Sequence, residues 1–286
     1  MKKMLSLLIL ISVVLPLALG AVESSSQPAR IRMVAHRGAG DLTMPEASRP
    51  AYSNAVAMAN DIVKLDLQKT RDGVIVMGHD PTLTRNMGWN VKISDVDYAD
   101  LLAKGTFLPK GGFDHEKILR LDEALAIVAD IPEFWIDFKH YDPEFAERVL
   151  TEFKKIGIAE SRIMVATGSK GALAYFQQHH PQIRRVGHIF VRPGKTGGLT
   201  ANCGDAATMD EMVANVIAYR DQYGLYGVNM PVFKRLTRPS QIGALKKAGL
   251  WVSLWFVQNK TEADYYRTSG ADAFVTDYVS KVRTCP

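Results

Sequence analysis

Short apolar runs alternate with amphipathic stretches along most of this chain. The runs cover residues 31–35, 62–67, 134–138, 163–166, 186–190, 225–230, 251–256 and 273–276, and they are rich in β-branched residues. Helix-period segments lie between them, near 46–59, 121–129, 142–156, 170–179, 208–222, 238–248 and 260–268. Gly157 and Gly249 stand where glycines end helices. Strands buried on both faces read as near-continuous apolar runs, and strands alternating with helices form parallel sheets. Eight such units predict a (β/α)₈ TIM barrel. An open doubly wound sheet is the alternative, but no nucleotide-type glycine loop follows the first run.

Two regions break this rhythm. An extra run at 74–77 follows the Asp72-Gly73 turn. The stretch from about 80 to 116 contains Asn86-Met87-Gly88-Trp89, Gly105 and Gly111-Gly112. It is expected to be a small insertion after the second strand region, acting as a lid or a substrate-selecting loop.

Polar residues cluster at the ends of the runs. His36 and Arg37 end the first. Lys64 and Asp66 lie two apart in the second, and therefore on one face of it. Asp137 and Lys139 close the third, Asn229 the sixth and Trp255 the seventh, and Asp277 follows the eighth. His79 and Asp80 follow the extra run. In a parallel barrel these ends share one mouth, where barrel active sites are built. Unpaired buried charge is costly, so a convergence of this kind signals chemistry more than packing.

Composition narrows the picture. The formal charge is +5, or +3 once Lys2 and Lys3 are set aside. That suits an anionic small molecule or an ordinary soluble surface. No basic run with interleaved aromatics points to nucleic acid. Residues 1–20 read as a signal peptide: a positive start, an apolar run over 4–19, and Ala18-Leu19-Gly20 at the cleavage positions. A serine-rich lead-in covers 21–29, and 30–286 is expected to form one barrel domain. The expected location is secreted or periplasmic, with no transmembrane segment in the mature protein. Cys203 and Cys285, the two cysteines, fit one disulfide of an exported protein or two free thiols. Nothing bears on the oligomeric state.

The chain resembles the glycerophosphodiester phosphodiesterase family of the phospholipase C-like phosphodiesterase superfamily. The resemblance is carried by His36-Arg37-Gly38, Pro45-Glu46-Ala47, Lys64-Leu65-Asp66, Thr70-Arg71-Asp72-Gly73, His79-Asp80 and Asp137-Phe138-Lys139, with looser echoes at Trp255, Gly270-Ala271-Asp272 and Thr276-Asp277. It implies a TIM barrel in which His36 and His79 are the general acid and base. It also implies that Arg37 and Lys139 contact the phosphate. In the family, carboxylates at the positions of Lys64, Asp66 and Asp137 bind one divalent cation, calcium or magnesium. The implied activity is hydrolysis of glycerophosphodiesters or related phosphodiesters, in some cases through a cyclic phosphate. The chemistry agrees: a phosphodiester needs positive charge on its non-bridging oxygens and proton carriers for the attacking and leaving oxygens.

Three positions depart from the family pattern: Lys64 for Glu, Asp137 for Glu and Ala47 for Asn. An ammonium has no lone pair to offer and repels a cation. Lys64 with Asp66 and Asp137 carries the same net charge as three carboxylates with a divalent ion. Lys64 is therefore expected to stand in the cation's place, bridging the two aspartates or reaching the phosphate. Bacterial phosphatidylinositol-specific phospholipases C resemble this in using a basic side chain where relatives use a metal. Metal-independent catalysis is the reading taken here, with a phosphate-ester-binding protein without turnover, or a lyase releasing a cyclic phosphate, as alternatives. Asp80 is expected to orient His79. Trp255 would wall the substrate pocket or fill the barrel top. His115, His140, His179, His180 and His188 have no motif around them. Trp89, Phe107 and Phe113 would form an apolar lip or pack the insertion.

Overall fold

In the computed structural model, which describes residues 30–38, 42–139, 141–194 and 198–283, the strands are β1 (Arg32–Ala35), β2 (Ile62–Lys69), β3 (Ile75–Met77), β4 (Glu133–Phe138), β5 (Ile163–Thr167), β6 (Arg184–His188), β7 (Val191–Pro193), β8 (Leu199–Ala201), β9 (Gly227–Pro231), β10 (Trp251–Trp255) and β11 (Ala273–Thr276). The helices are α1 (Arg49–Ala57), α2 (Thr84–Met87), α3 (Tyr98–Lys104), α4 (Leu121–Val128), α5 (Pro143–Lys155), α6 (Lys170–His179), α7 (Met209–Tyr223), α8 (Pro239–Lys247), α9 (Lys260–Tyr266) and α10 (Val279–Val282). Parallel pairing runs β1-β2-β4-β5-β6-β9-β10-β11 and returns to β1, which closes an eight-stranded (β/α)₈ barrel.

Side chains alternate across these strands, so each supplies one set inward and one set outward. Val34, Ile62, Trp135, Met164, Val186, Trp251 and Ala273 fill the barrel interior. The outward set packs against the helices in a larger cluster that includes Leu65, Phe134, Phe153, Phe176, Leu245 and Phe274. Two residues further along the inward rows, the fillers give way to polar groups: His36 after Val34, Lys64 after Ile62, Asp137 after Trp135, His188 after Val186. The strand ends thus turn the apolar core into a polar floor without any change of backbone.

Helix starts follow local chemistry. Ser48, Asp142, Ser169, Thr208 and Asn259 each accept a backbone N–H of the first turn of their helix. The first helix begins at Arg49, later than the predicted 46, because Ser48 caps it and Glu46 is engaged elsewhere.

The 80–116 stretch is built rather than open. It carries α2, a 3-10 turn at Ile93–Asp95 and α3, and it packs a separate apolar cluster of Leu83, Met87, Ile93, Leu101 and Phe107 with Ile118 and Val76. Phe107 is buried there and Trp89 packs against it, so these two aromatics serve the insertion's own core. The sequence pattern missed the antiparallel β7–β8 hairpin, which extends beyond β6. Cys203 is a free thiol, half-buried, with Sγ 3.5 Å from Met212 Sδ. Burial raises its pKa to about 11. Cys285 lies outside the described residues, as do the expected signal peptide, the lead-in and His140. Among the described residues no helix is long and apolar enough to cross a membrane.

Candidate active site

A cavity of about 70 Å³ opens at the carboxyl ends of the barrel strands. His36, His79, Lys64, Asp137 and Lys139 line it on one side. His188, Phe190, Asn229, Trp255, Phe256 and Val275 form the rest of its wall. The structure therefore brings the two motif histidines, both lysines and Asp137 to one space. Arg37, in the turn after β1, and Asp66 do not line this cavity. The Arg37 charge acts on both His36 and His79, and Asp66 pairs with the two lysines.

The floor is a ring of four charges. Asp66 and Asp137 face each other across the β2–β4 register. Lys64 Nζ lies between them, hydrogen-bonded to Asp66 Oδ1 and 2.8 Å from Asp137 Oδ2. Lys139 Nζ meets the same two oxygens, at 2.8 Å from Asp66 Oδ1 and 2.7 Å from Asp137 Oδ2. Lys64 is 2% exposed and Asp66 is fully buried. Burial opposes ionisation of both carboxyls, but the two ammonium groups outweigh it. Asp137 is held down at about 2, and Asp66 lies well below the ordinary carboxylate range. Burial alone would lower the Lys139 pKa, yet the aspartates push it well above the ordinary lysine value.

This ring does not suit a resident divalent cation. Asp66 Oδ1 and Asp137 Oδ2 each lie within ion-pair distance of both ammonium groups, which leaves Asp66 Oδ2 as the buried oxygen without a partner, and Lys64 puts positive charge where the resemblance implies a carboxylate. Among the described residues no three carboxylate, imidazole or thiol groups are placed to share a metal ion.

The imidazoles are each backed by a carboxylate. His36 Nδ1 is 2.7 Å from Asp277 Oδ1, and the His36 ring lies 4.5 Å from that of Phe256. Gln258 Nε2 donates to the other oxygen of Asp277 at 2.7 Å. His79 Nδ1 is 2.7 Å from Asp80 Oδ1, so Asp80 stands in the orienting position expected of it. Burial lowers the pKa of both rings; Asp277 offsets this partly at His36, and Asp66 at His79.

Arg37 sits in the left-handed backbone region at φ 51°. For a non-glycine residue that conformation costs about 1–2 kcal/mol, and such strain gathers at functional sites. Arg37 Nη1 donates to Glu46 Oε2 at 2.8 Å, so Glu46 serves this arginine rather than the start of α1. Ala47 is also left-handed, at φ 53°, and its N–H donates to the Arg37 carbonyl at 2.9 Å. Asparagine tolerates that backbone better than alanine. The departure at Ala47 thus costs backbone ease beside Arg37. Trp255 forms part of the cavity wall and donates Nε1 to the Asn229 carbonyl at 3.1 Å.

The sequence reading set His188 aside for want of a motif. It is buried in the cavity wall, its Nε2 has no hydrogen-bond partner, and burial lowers its pKa to about 3. The available signal was its place at the end of a β-run, the same signal used for Asn229. Arg85 was also missed; it bonds both Glu46 and Asp80. His115, His179 and His180 do not line the cavity.

A parallel (β/α)₈ barrel with two carboxylate-backed histidines beside cationic side chains is the architecture of a phosphodiester-handling enzyme. The chain matches the model of the glycerophosphoryl diester phosphodiesterase family over residues 36–281, and it belongs to that family, whose members are phosphoric diester hydrolases. A Bacillus subtilis glycerophosphodiester phosphodiesterase is 28% identical over 201 residues, covering 64% of this chain and 67% of that protein. A human lysophospholipase D is 42% identical over 72 residues, which is 25% of this chain and 22% of that protein. Among solved structures, a glycerophosphodiester phosphodiesterase of Agrobacterium tumefaciens superposes with a TM-score of 0.69 at 19% identity, covering 88% of this chain and 99% of that one. An Oleispira antarctica phosphodiesterase, solved with the product sn-glycerol-3-phosphate, gives 0.70 at 19% identity, covering 88% and 94%.

Proposed function

We propose that this chain is an exported hydrolase of glycerophosphodiesters that uses His36 and His79 as proton carriers and Lys64 in place of a divalent cation. The observation that carries the proposal is the buried Lys64 amine, held between Asp66 and Asp137 below the two imidazoles. Arg37 and Lys139 neutralise the non-bridging oxygens of the phosphate. Lys64 brings the four-charge floor to neutrality without occupying ligand space, and it fixes Lys139 through the shared aspartates.

The surroundings of the two histidines support different roles for them. Asp277, which backs His36, hydrogen-bonds the neutral amide of Gln258 besides the ring. Asp80, which backs His79, shares its charge with Arg85 at 2.5 Å. His36 is therefore the better base and takes the proton of the attacking oxygen. His79 is the better acid and delivers a proton to the leaving oxygen. The attacking oxygen belongs either to a neighbouring substrate hydroxyl, which yields a cyclic phosphate opened in a second step, or to water. A phosphorus NMR time course separates these routes, because only the first passes through a cyclic phosphate.

The substrate assignment draws support from the family and from the product bound by the Oleispira neighbour. The export assignment draws on the signal-peptide pattern of residues 1–20. The direct test is choline release from glycerophosphocholine by purified protein. Turnover is the expected result; binding of the diester without release would favour the non-catalytic reading instead.

A pH dependence follows from the lowered imidazole values. His79 must enter the reaction protonated, and a lowered pKa means the proton leaves at lower pH than from an ordinary imidazole. The alkaline limb of kcat/KM is expected below the usual 6.5. His36 must enter neutral, so the acid limb is displaced downward as well. Asp277→Asn removes the partner that raises the His36 value, and NMR titration of that ring should move further down. An unmoved His36 titration would break this pairing.

A further inference from the structure

The insertion contributes a side chain to the site without entering the cavity. Arg85 lies on α2, with its side chain 48% exposed. Its Nε donates to Asp80 Oδ2 at 2.5 Å, while Nη1 and Nη2 donate to Glu46 Oε2 at 2.8 Å and Oε1 at 2.6 Å. The remaining Asp80 oxygen holds His79 Nδ1, and Glu46 Oε2 also accepts from Arg37 Nη1. One guanidinium thus closes an unbroken chain: His79, Asp80, Arg85, Glu46, Arg37. The chain joins the turn after β1 to the segment after β3, two loops that Asn86 Nδ2 also links by donating to Glu46 Oε1 at 3.2 Å.

We infer that Arg85 is a positioning residue for this reaction, setting the attitude of His79 through Asp80 and of Arg37 through Glu46. The inference rests on the phosphodiesterase reading above. The arrangement needs a planar fork. A guanidinium presents several donors in fixed directions and can serve two carboxylates at once, whereas an ammonium is a point charge on a flexible stem. Exposed ion pairs add little to stability, so a brace of this kind acts through geometry. It also acts through charge. His79 faces Asp66, Lys139, Arg37 and Asp80. Arg85 draws off part of the Asp80 charge, which keeps His79 an effective acid. On the Glu46 side, holding the carboxylate in a bidentate pair prevents it from swinging further over Arg37 and away from the phosphate mouth.

The test compares Arg85→Ala, Arg85→Lys and Asp80→Asn in the full mature chain. Arg85→Ala should lower kcat/KM by roughly 10²-fold, the scale of a small misplacement of catalytic groups. The loss should appear in both parameters, in kcat through His79 and in KM through Arg37. NMR titration of His79 should shift upward, because Asp80 then acts on the ring with its full charge. In an Asp80→Asn background the same Arg85→Ala change should leave the His79 titration where it is. Arg85→Lys should restore less than a tenth of the lost activity, and thermal melting should stay within a few degrees of the parent, as expected of a half-exposed side chain. A His79 titration and a KM both unmoved by Arg85→Ala would overturn the assignment, as would full rescue by lysine. A parent enzyme without turnover would defeat the phosphodiesterase reading itself, and with it the reaction that Arg85 is assigned to serve.

Discussion

Lys64→Glu is expected to make the floor depend on a divalent cation. The substitution places three buried carboxylates around a single remaining ammonium, Lys139. Removing one partner of a buried ion pair costs about 3–5 kcal/mol, because the other charge is left uncompensated. For a chain of this size that corresponds to a fall in melting temperature of roughly 6–20 °C in the presence of chelator. The same three carboxylates are oxygen ligands suited to calcium, which accepts variable geometry, and less readily to magnesium. Millimolar calcium should therefore restore much of the lost stability to Lys64→Glu and leave the parent unchanged. Activity of the variant should follow the metal. Melting curves with EDTA and with calcium decide the matter, and a variant as stable as the parent in chelator would show that the Lys64 charge does not hold the floor together.

His36→Ala and His79→Ala should each lower kcat by about 10²–10⁴, the contribution of a positioned proton carrier. The combined variant should lose less than the product of the single losses, since groups that act in one transition state are not additive. The two singles should differ with the leaving group. A diester whose leaving alcohol is acidic needs little protonation, so His79→Ala should be largely rescued on an activated aryl phosphodiester, and His36→Ala should not. Equal losses on both substrates would contradict the division of roles drawn from Asp277 and Asp80. Loss of less than tenfold in either variant would remove that histidine from the chemistry.

Much of this arrangement is legible in the sequence because a strand has a period of two. Once Val34, Ile62, Trp135 and Val186 are read as barrel fillers, His36, Lys64, Asp137 and His188 two residues on must face the same way. The family resemblance singled out three of these, and absence of a motif hid the fourth, although the strand argument applies to it equally. The closed parallel barrel follows from the same alternation. What stayed hidden depends on partners far apart in the chain. The β7–β8 strands are three residues each, too short for a periodic signal. Arg85 stands in a stretch without hydrophobic rhythm, and its two carboxylates are 39 and 5 residues away. Glu46 illustrates the limit most clearly. A carboxylate just before a helix suggests a favourable end charge, and only the folded loops show that two arginines claim it.

The position of Lys64 could be anticipated only as a pair of options, since a strand residue's direction is legible and its partner is not. The buried amine between Asp66 and Asp137 is the first of those options. Lys139 adds a feature that spacing alone does not reveal: it closes the ring onto the same two oxygens, so each lysine helps to hold the other's counter-ions in place.

Turnover of glycerophosphocholine by protein dialysed against EDTA, with metal content measured on the same sample, tests the role of Lys64 most directly. Undiminished choline release at less than a tenth of an equivalent of any divalent metal is the predicted result. Release that stops in chelator and returns on adding calcium or magnesium to the unmodified enzyme would contradict it.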